Sequence, residues 1–152
     1  MKTLNRREAL VFGAATGGLL LMTSSGAFAS ADDAMKAMEK FTGGRPVMEG
    51  SKMVTLEMPE IAENGNTVPL SISVESPMTS DSYVKRVVII SEGNPRPEVA
   101  TFNFSPLSGV AEASTRMRLA KTQNIIAIAE LSDGSLHMTK RQVKVTIGGC
   151  GG

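Results

Sequence analysis

The sequence predicts a mainly β protein, an immunoglobulin-like antiparallel β-sandwich with one short N-terminal helix. Three observations carry this. Roughly seven short segments alternate apolar and polar residues or run as apolar stretches. Turn signals such as Asn64-Gly65 and Asp133-Gly134 separate them. Only one segment, near residue 35, shows a helical period. The chain has no Trp, one Tyr and five Phe among 152 residues, so aliphatic residues and Met must supply the core. It lacks the cysteine pair and core tryptophan of antibody domains, so the sandwich is inferred from pattern alone.

The elements follow in order. "ADDAMKAMEKFTGGRP" reads as the helix: Asp32 or Asp33 caps it, and Met35, Met38 and Phe41, with Ala34, form an apolar stripe expected to pack on the domain. Gly43-Gly44 and Pro46 end it. "KMVTLEM" sets Val54, Leu56 and Met58 on one strand face. "TVPLSISVE" sets Val68, Leu70, Ile72 and Val74 against Ser71, Ser73 and Glu75, a strand with one wet face. Pro69 pushes the start of this strand toward a sheet edge, because proline cannot donate to a ladder. "YVKRVVIIS" and "NIIAIAEL" are continuously apolar and read as inner strands, with Val87–Ile90 and Ile125–Ala129 in the core. Between them, "NPRP" is a rigid break, "VATFNFS" puts Ala100, Phe102 and Phe104 on one face, and "ASTRMRLAK" sets Thr115, Met117 and Leu119 against Arg116 and Arg118. After the Asp133-Gly134 hairpin, "HMTKRQVKVTI" returns with His137, Thr139, Arg141, Val143, Val145 and Ile147 on one face, His137 toward solvent. This strand runs directly into "GGCGG".

The first 31 residues read as a cleaved export signal. They have a basic start, an apolar stretch from Ala9 to Met22 too short for a spanning helix, and small residues before two cut sites, at Ala27-Phe28-Ala29 or Ala29-Ser30-Ala31. The Arg6-Arg7 pair resembles the twin-arginine type, the general secretory route being the alternative. The expected division is a signal at 1–31, a sandwich domain at 32–147 and an arm at 148–152. The formal charge is +1 on the whole chain. Loss of Lys2, Arg6, Arg7 and Glu8 with the signal leaves 13 basic and 14 acidic residues. Neither balance supports a nucleic-acid partner, and no membrane anchor remains after cleavage. The expected compartment is the periplasm.

Cys150 is the single cysteine, so no internal disulfide is available in an oxidising compartment. Gly148, Gly149, Gly151 and Gly152 flank it, and glycine suggests a slim, flexible arm. Residues 148–150 extend roughly 10 Å when stretched, enough to present a sulfur to another protein. A cysteine enzyme needs a held base. The one histidine, His137, lies a hairpin arm away, and without it the thiol keeps an ordinary pKa near ~8.5. This suits a carrier that partner enzymes act on better than a catalyst. No CxxC, HxxxH or CxxCH spacing occurs, so no metal or haem cofactor is expected. Two other readings stay open. Cys150, His137 and a methionine make a copper site, or Cys150 links two chains through a disulfide.

An exported β-rich chain with a twin-arginine-like Arg6-Arg7, a helix ending "FTGGRP" and a terminal "GGCGG" resembles the SoxY family, the sulfur-carrier subunits of periplasmic thiosulfate oxidation. The resemblance implies an immunoglobulin-like fold and a SoxZ-like partner subunit. It also implies that Cys150 is the covalent attachment site, loaded with thiosulfate by a c-type cytochrome complex. A hydrolase then releases sulfate, and a sulfur dehydrogenase oxidises the remaining sulfane sulfur.

Overall fold

A computed structural model describes residues 31–149; the expected signal, with Arg6 and Arg7, and Cys150, Gly151 and Gly152 lie outside the described residues. The described chain has one α-helix, α1 (Ala31–Thr42), and nine strands. These are β1 (Val47–Glu49), β2 (Val54–Glu57), β3 (Ile61–Asn64), β4 (Val68–Val74), β5 (Val84–Ser91), β6 (Glu98–Asn103), β7 (Ala111–Met117), β8 (Gln123–Leu131) and β9 (Leu136–Ile147). A single 3-10 turn, Pro106–Ser108, joins β6 to β7. No helix among the described residues is long and apolar enough to cross a membrane.

Two sheets form the sandwich. The larger has the order β1-β9-β8-β5-β6, with β3 also on β9; the smaller is β2-β4-β7. All pairs are antiparallel except β1 and β3, which run parallel to β9. The inner strands β5 and β8 split their side chains between two cores, as a period of two requires. Val87, Ile89, Ile125 and Ala127 face the smaller sheet, where they meet Leu70, Ile72 and Leu119. Val88, Ile90, Ile126 and Ile128 face the other way, toward the helix. Both runs are buried, as their continuous hydrophobicity predicts.

The helix covers that outer face with most of the expected stripe, Ala37 taking the place of Met35. Ala34 and Ala37 are buried, Met38 and Phe41 pack beside them, and Met35 is exposed. Two alanines let the helix backbone approach the sheet closely, with Met38 and Phe41 filling in beside them. Gly43 and Gly44 both take positive φ, +62° and +74°, and the Gly43 N–H closes the helix on Glu39 O at 2.7 Å. Arg45 then reaches over the sheet edge: its guanidinium donates to Glu130 Oε1 at 3.0 Å and to Gly134 O at 3.1 Å. Arg86 donates to Glu130 Oε2 at 2.6 Å and lies over the Phe41 ring. Burial works to raise the Glu130 pKa, but the hydrogen bonds from Arg45 and Arg86 outweigh it and hold the carboxyl below its ordinary value.

The smaller sheet keeps the wet face expected of β4. Ser71 and Ser114 share a hydrogen bond at 2.9 Å, and Ser73 donates to Glu112. Pro69 lies on a central strand, yet the β2 ladder reaches only Ser71, so no strand flanks Pro69 on that side. Gly134 takes φ +86° in the β8–β9 hairpin, where a left-handed residue suits the tight turn.

Candidate functional site

The site lies where β9 ends. Its first half pairs with β8 through Val143 and with β1 through Met138. Its second half pairs with β3 from Lys144 to Ile147. On the other side, the Val145 N–H still bonds Thr122 Oγ1 at 2.9 Å. The strand therefore delivers Gly148 and Gly149 to a fixed place, beside the Asn64-Gly65 turn and the loop after β7.

Three main-chain hydrogen bonds surround that place. The Gly65 N–H donates to Ile147 O at 2.7 Å, the Leu119 N–H to Gly65 O at 2.8 Å, and the Gly149 N–H to Leu119 O at 2.9 Å. The fit is close. A Cβ on Gly148 would collide with the Ala120 carbonyl, and one on Gly149 with the Gly65 carbonyl and the Asn66 nitrogen. A Cβ on Gly65 would collide with Leu119 O and stand 2.8 Å from the Gly149 nitrogen. All of these neighbours are backbone, which cannot swing aside. Behind the loop, two buried amides pair: Gln123 Nε2 donates to Asn94 Oδ1 at 2.9 Å. Cys150 follows Gly149 directly in the sequence.

His137 is not where the sequence pattern puts it. It is buried, at 7% exposure, rather than facing solvent. Ser51 Oγ lies 2.9 Å from Nδ1 and Ser135 Oγ 3.4 Å from Nε2. Asp133 in turn accepts from the Ser135 hydroxyl and amide, and these bonds lower its pKa. The loop carrying Ser51 folds over this end of β9, and an alternation pattern cannot show a covering loop. His137 lies ten residues before Ile147 along one strand, about 30 Å at a strand's rise. The chain's one histidine therefore sits at the opposite end of β9 from Gly148-Gly149. Among the described residues no group of three or more His, Cys, Asp or Glu side chains is arranged to hold a metal.

Sequence reasoning misses Gly65 as a contact residue, along with Leu119, Asn94 and Gln123. Asn64-Gly65 is legible as a turn, and Asn94 as part of "NPRP". That Gly65 lies against the end of β9, and Asn94 behind the loop that bonds Gly149, depends on pairings 24 or more residues apart.

A family model described as "SoxY: Sulfur oxidation protein SoxY" matches residues 38–150, a span that reaches Cys150. The chain belongs to the SoxY family. Among solved structures, the SoxY sulfur carrier protein from Chlorobium limicola f thiosulfatophilum matches with a TM-score of 0.65 and 35% identity, over 78% of this chain and 100% of that one. Superoxide reductases share the fold alone. The neelaredoxin from Ignicoccus hospitalis gives a TM-score of 0.57 at 16% identity, over 65% of this chain and 94% of that one. The superoxide reductase from Nanoarchaeum equitans gives 0.52 at 15%, over 64% and 100%. No curated protein matches. Within the SoxY family, the strand-rich sandwich is the architecture expected, and the end of β9 leads directly into the segment that carries the single cysteine.

Proposed function

We propose that this SoxY-family chain is a covalent carrier of sulfur-oxidation intermediates in periplasmic thiosulfate oxidation, with cargo on Cys150. The observation that carries the reading is the family match running to residue 150, at the only cysteine of the chain. The Chlorobium limicola structure, itself described as a sulfur carrier protein, supports it.

Loading is a two-electron oxidation. The Cys150 thiol loses its proton, its sulfur bonds the sulfane sulfur of thiosulfate, and a c-type cytochrome complex accepts two electrons. The product is the S-thiosulfonate. Water then attacks the sulfone sulfur on a hydrolase, sulfate and a proton leave, and a persulfide remains on Cys150 for a sulfur dehydrogenase. The chain's own part is to hold the sulfur and present it. Gly148, Gly149, Gly151 and Gly152 leave Cys150 without neighbouring side chains, so an enzyme can approach its sulfur closely. The distance of His137 from the arm's root fits a thiol that others must activate. A SoxZ-like subunit is the proposed partner, and an Arg6-Arg7 signal the proposed route to the periplasm.

Intact-mass measurement after incubation with thiosulfate and the partner proteins tests this. Wild type should gain the mass of one thiosulfate, and Cys150→Ser should gain nothing. An unmodified wild type, or an equal gain on the variant, overturns it.

A further inference from the structure

We infer that Gly65 and the Leu119–Ala120 loop form a main-chain slot that fixes where the Cys150 arm leaves the domain, with Asn94 and Gln123 as the positioning residues behind it. The inference rests on the carrier reading for its purpose, and on geometry for its existence.

The three bonds at the end of β9 form a ring. Ile147 O accepts from Gly65, Gly65 O accepts from Leu119, and Leu119 O accepts from Gly149. The circuit leaves the last strand and returns to the same chain two residues later. No arm side chain takes part, and three glycines meet where any Cβ collides with backbone. Freedom alone does not explain that crowding. At Gly148 and Gly149 the missing side chain is what permits contact.

The amides behind the loop are arranged to serve this ring. Asn94 Nδ2 donates to Arg118 O at 2.7 Å, and Asn94 Oδ1 accepts from the Ala120 N–H at 3.0 Å. One side chain thus ties both neighbours of Leu119 and leaves the Leu119 N–H and C=O for Gly65 and Gly149. Gln123 holds Asn94 in place. Its Nε2 donates to Asn94 Oδ1 and to Lys121 O, and its Oε1 accepts from the Gly93 N–H at 2.7 Å. The Leu119 side chain, fully buried, anchors the loop from the core side. A buried amide pair bonded around one loop is costly to misplace, because an unmet buried polar group loses its hydration without return.

The consequence is a change in the arm's origin. With Gly149 in the slot, the last anchored residue is the one directly before Cys150. The tether to the sulfur is then anchored one residue before Cys150 rather than three, about 3.8 Å between successive Cα atoms. A partner enzyme must therefore bring its active site to the rim of the slot.

Amide hydrogen exchange on the full chain, read by NMR beside transfer assays, tests the inference. In wild type the Gly149 and Gly65 amides should exchange at least ~10-fold more slowly than unstructured glycine, as hydrogen-bonded amides do. Gly65→Ala should return Gly149 to the unstructured rate while Ile128 and Ala127 stay protected. It should also raise the KM of the partner enzymes for the carrier several-fold, with alkylation of Cys150 by iodoacetamide no slower. Should Gly65→Ala not fold, Asn94→Ala gives the same readouts without touching the ring itself. Unprotected Gly149 in wild type overturns the slot, as does protection that survives both substitutions. Lost protection with unchanged transfer overturns the positioning role. If wild type accepts no thiosulfate, the carrier reading fails with the positioning role, and exchange alone still accepts or rejects the slot.

Discussion

At its start, β9 places Leu136 and Met138 under the helix and His137 against Ser51, so both faces of the strand are covered. Eleven residues later Ile147 is 67% exposed, and bonds between main chains hold the strand to Gly65 and β3. One end is fixed mainly by side-chain packing and the other mainly by main-chain bonds, with Thr122 and Thr146 adding side-chain ones. Packing of that kind supplies stability, since each fully buried aliphatic side chain contributes about 1.5–3 kcal/mol. Backbone fixing supplies location and asks only that side chains stay out of the way. A carrier needs both: a body that stays folded and an exit slim enough for another protein to reach.

The contrast breaks most visibly at the packed end. Ile128→Ala empties part of the core under the helix and should destabilise the fold by about 2–5 kcal/mol. Urea unfolding measures this, and cargo loading of the folded fraction should be unchanged. A loading defect in still-folded protein would mean the two ends are coupled.

Next in size is the Arg45–Glu130–Arg86 cluster. Glu130 is mostly buried but both arginines reach solvent, so Glu130→Gln should cost about 2 kcal/mol, between the buried and exposed cases. The pH dependence follows from the lowered carboxyl pKa. Glu130 adds stability while ionised, fully so above its unfolded value near 4.5, and that contribution fades as pH falls through the lower folded value. Glu92, where burial opposes but bonds from Lys140 and Asn124 prevail, acts with the same sign. Thermal melts from about pH 7 to about pH 3 should fall more steeply below pH 4.5 for wild type than for Glu130→Gln. Equal slopes would assign the acid loss elsewhere.

The smallest effect belongs to the arm end. Ile147→Ser exchanges an exposed side chain and keeps every backbone bond, so stability should move by no more than about 0.5 kcal/mol. A larger loss on chemical unfolding would show that side chains, not the main chain, hold this end.

Much of the fold is legible in the sequence because its strongest signals are local. The apolar runs of β5 and β8, the alternation of β4 and the Asp133-Gly134 turn each point to one outcome. β1 and β3 are not legible, because they are three and four residues long, mostly exposed, and exist through parallel pairing with β9. In the helix stripe Ala37 is missed in favour of Met35, because alanine carries little hydrophobic signal yet permits the closest approach to a sheet. In sequence, "FTGGRP" marks only a helix end and a resemblance; its two left-handed glycines and Arg45 prove to fasten the helix to Glu130. At the site, Cys150 is conspicuous in composition alone. Gly65, Asn94 and Gln123 are not, because a turn glycine and two amides look ordinary until distant pairings set Gly65 against the end of β9 and the amides behind the loop that bonds Gly149.

The proposed carrier role makes the body a scaffold and Cys150 the only point of attachment. Peptide-mapped mass spectrometry of the protein isolated from cells oxidising thiosulfate tests this most directly. Sulfur-bearing adducts are predicted on the C-terminal "VTIGGCGG" peptide and nowhere else, and they should be absent when Cys150→Ser is expressed. Adducts elsewhere in the chain, or a bare Cys150 during active oxidation, would contradict it.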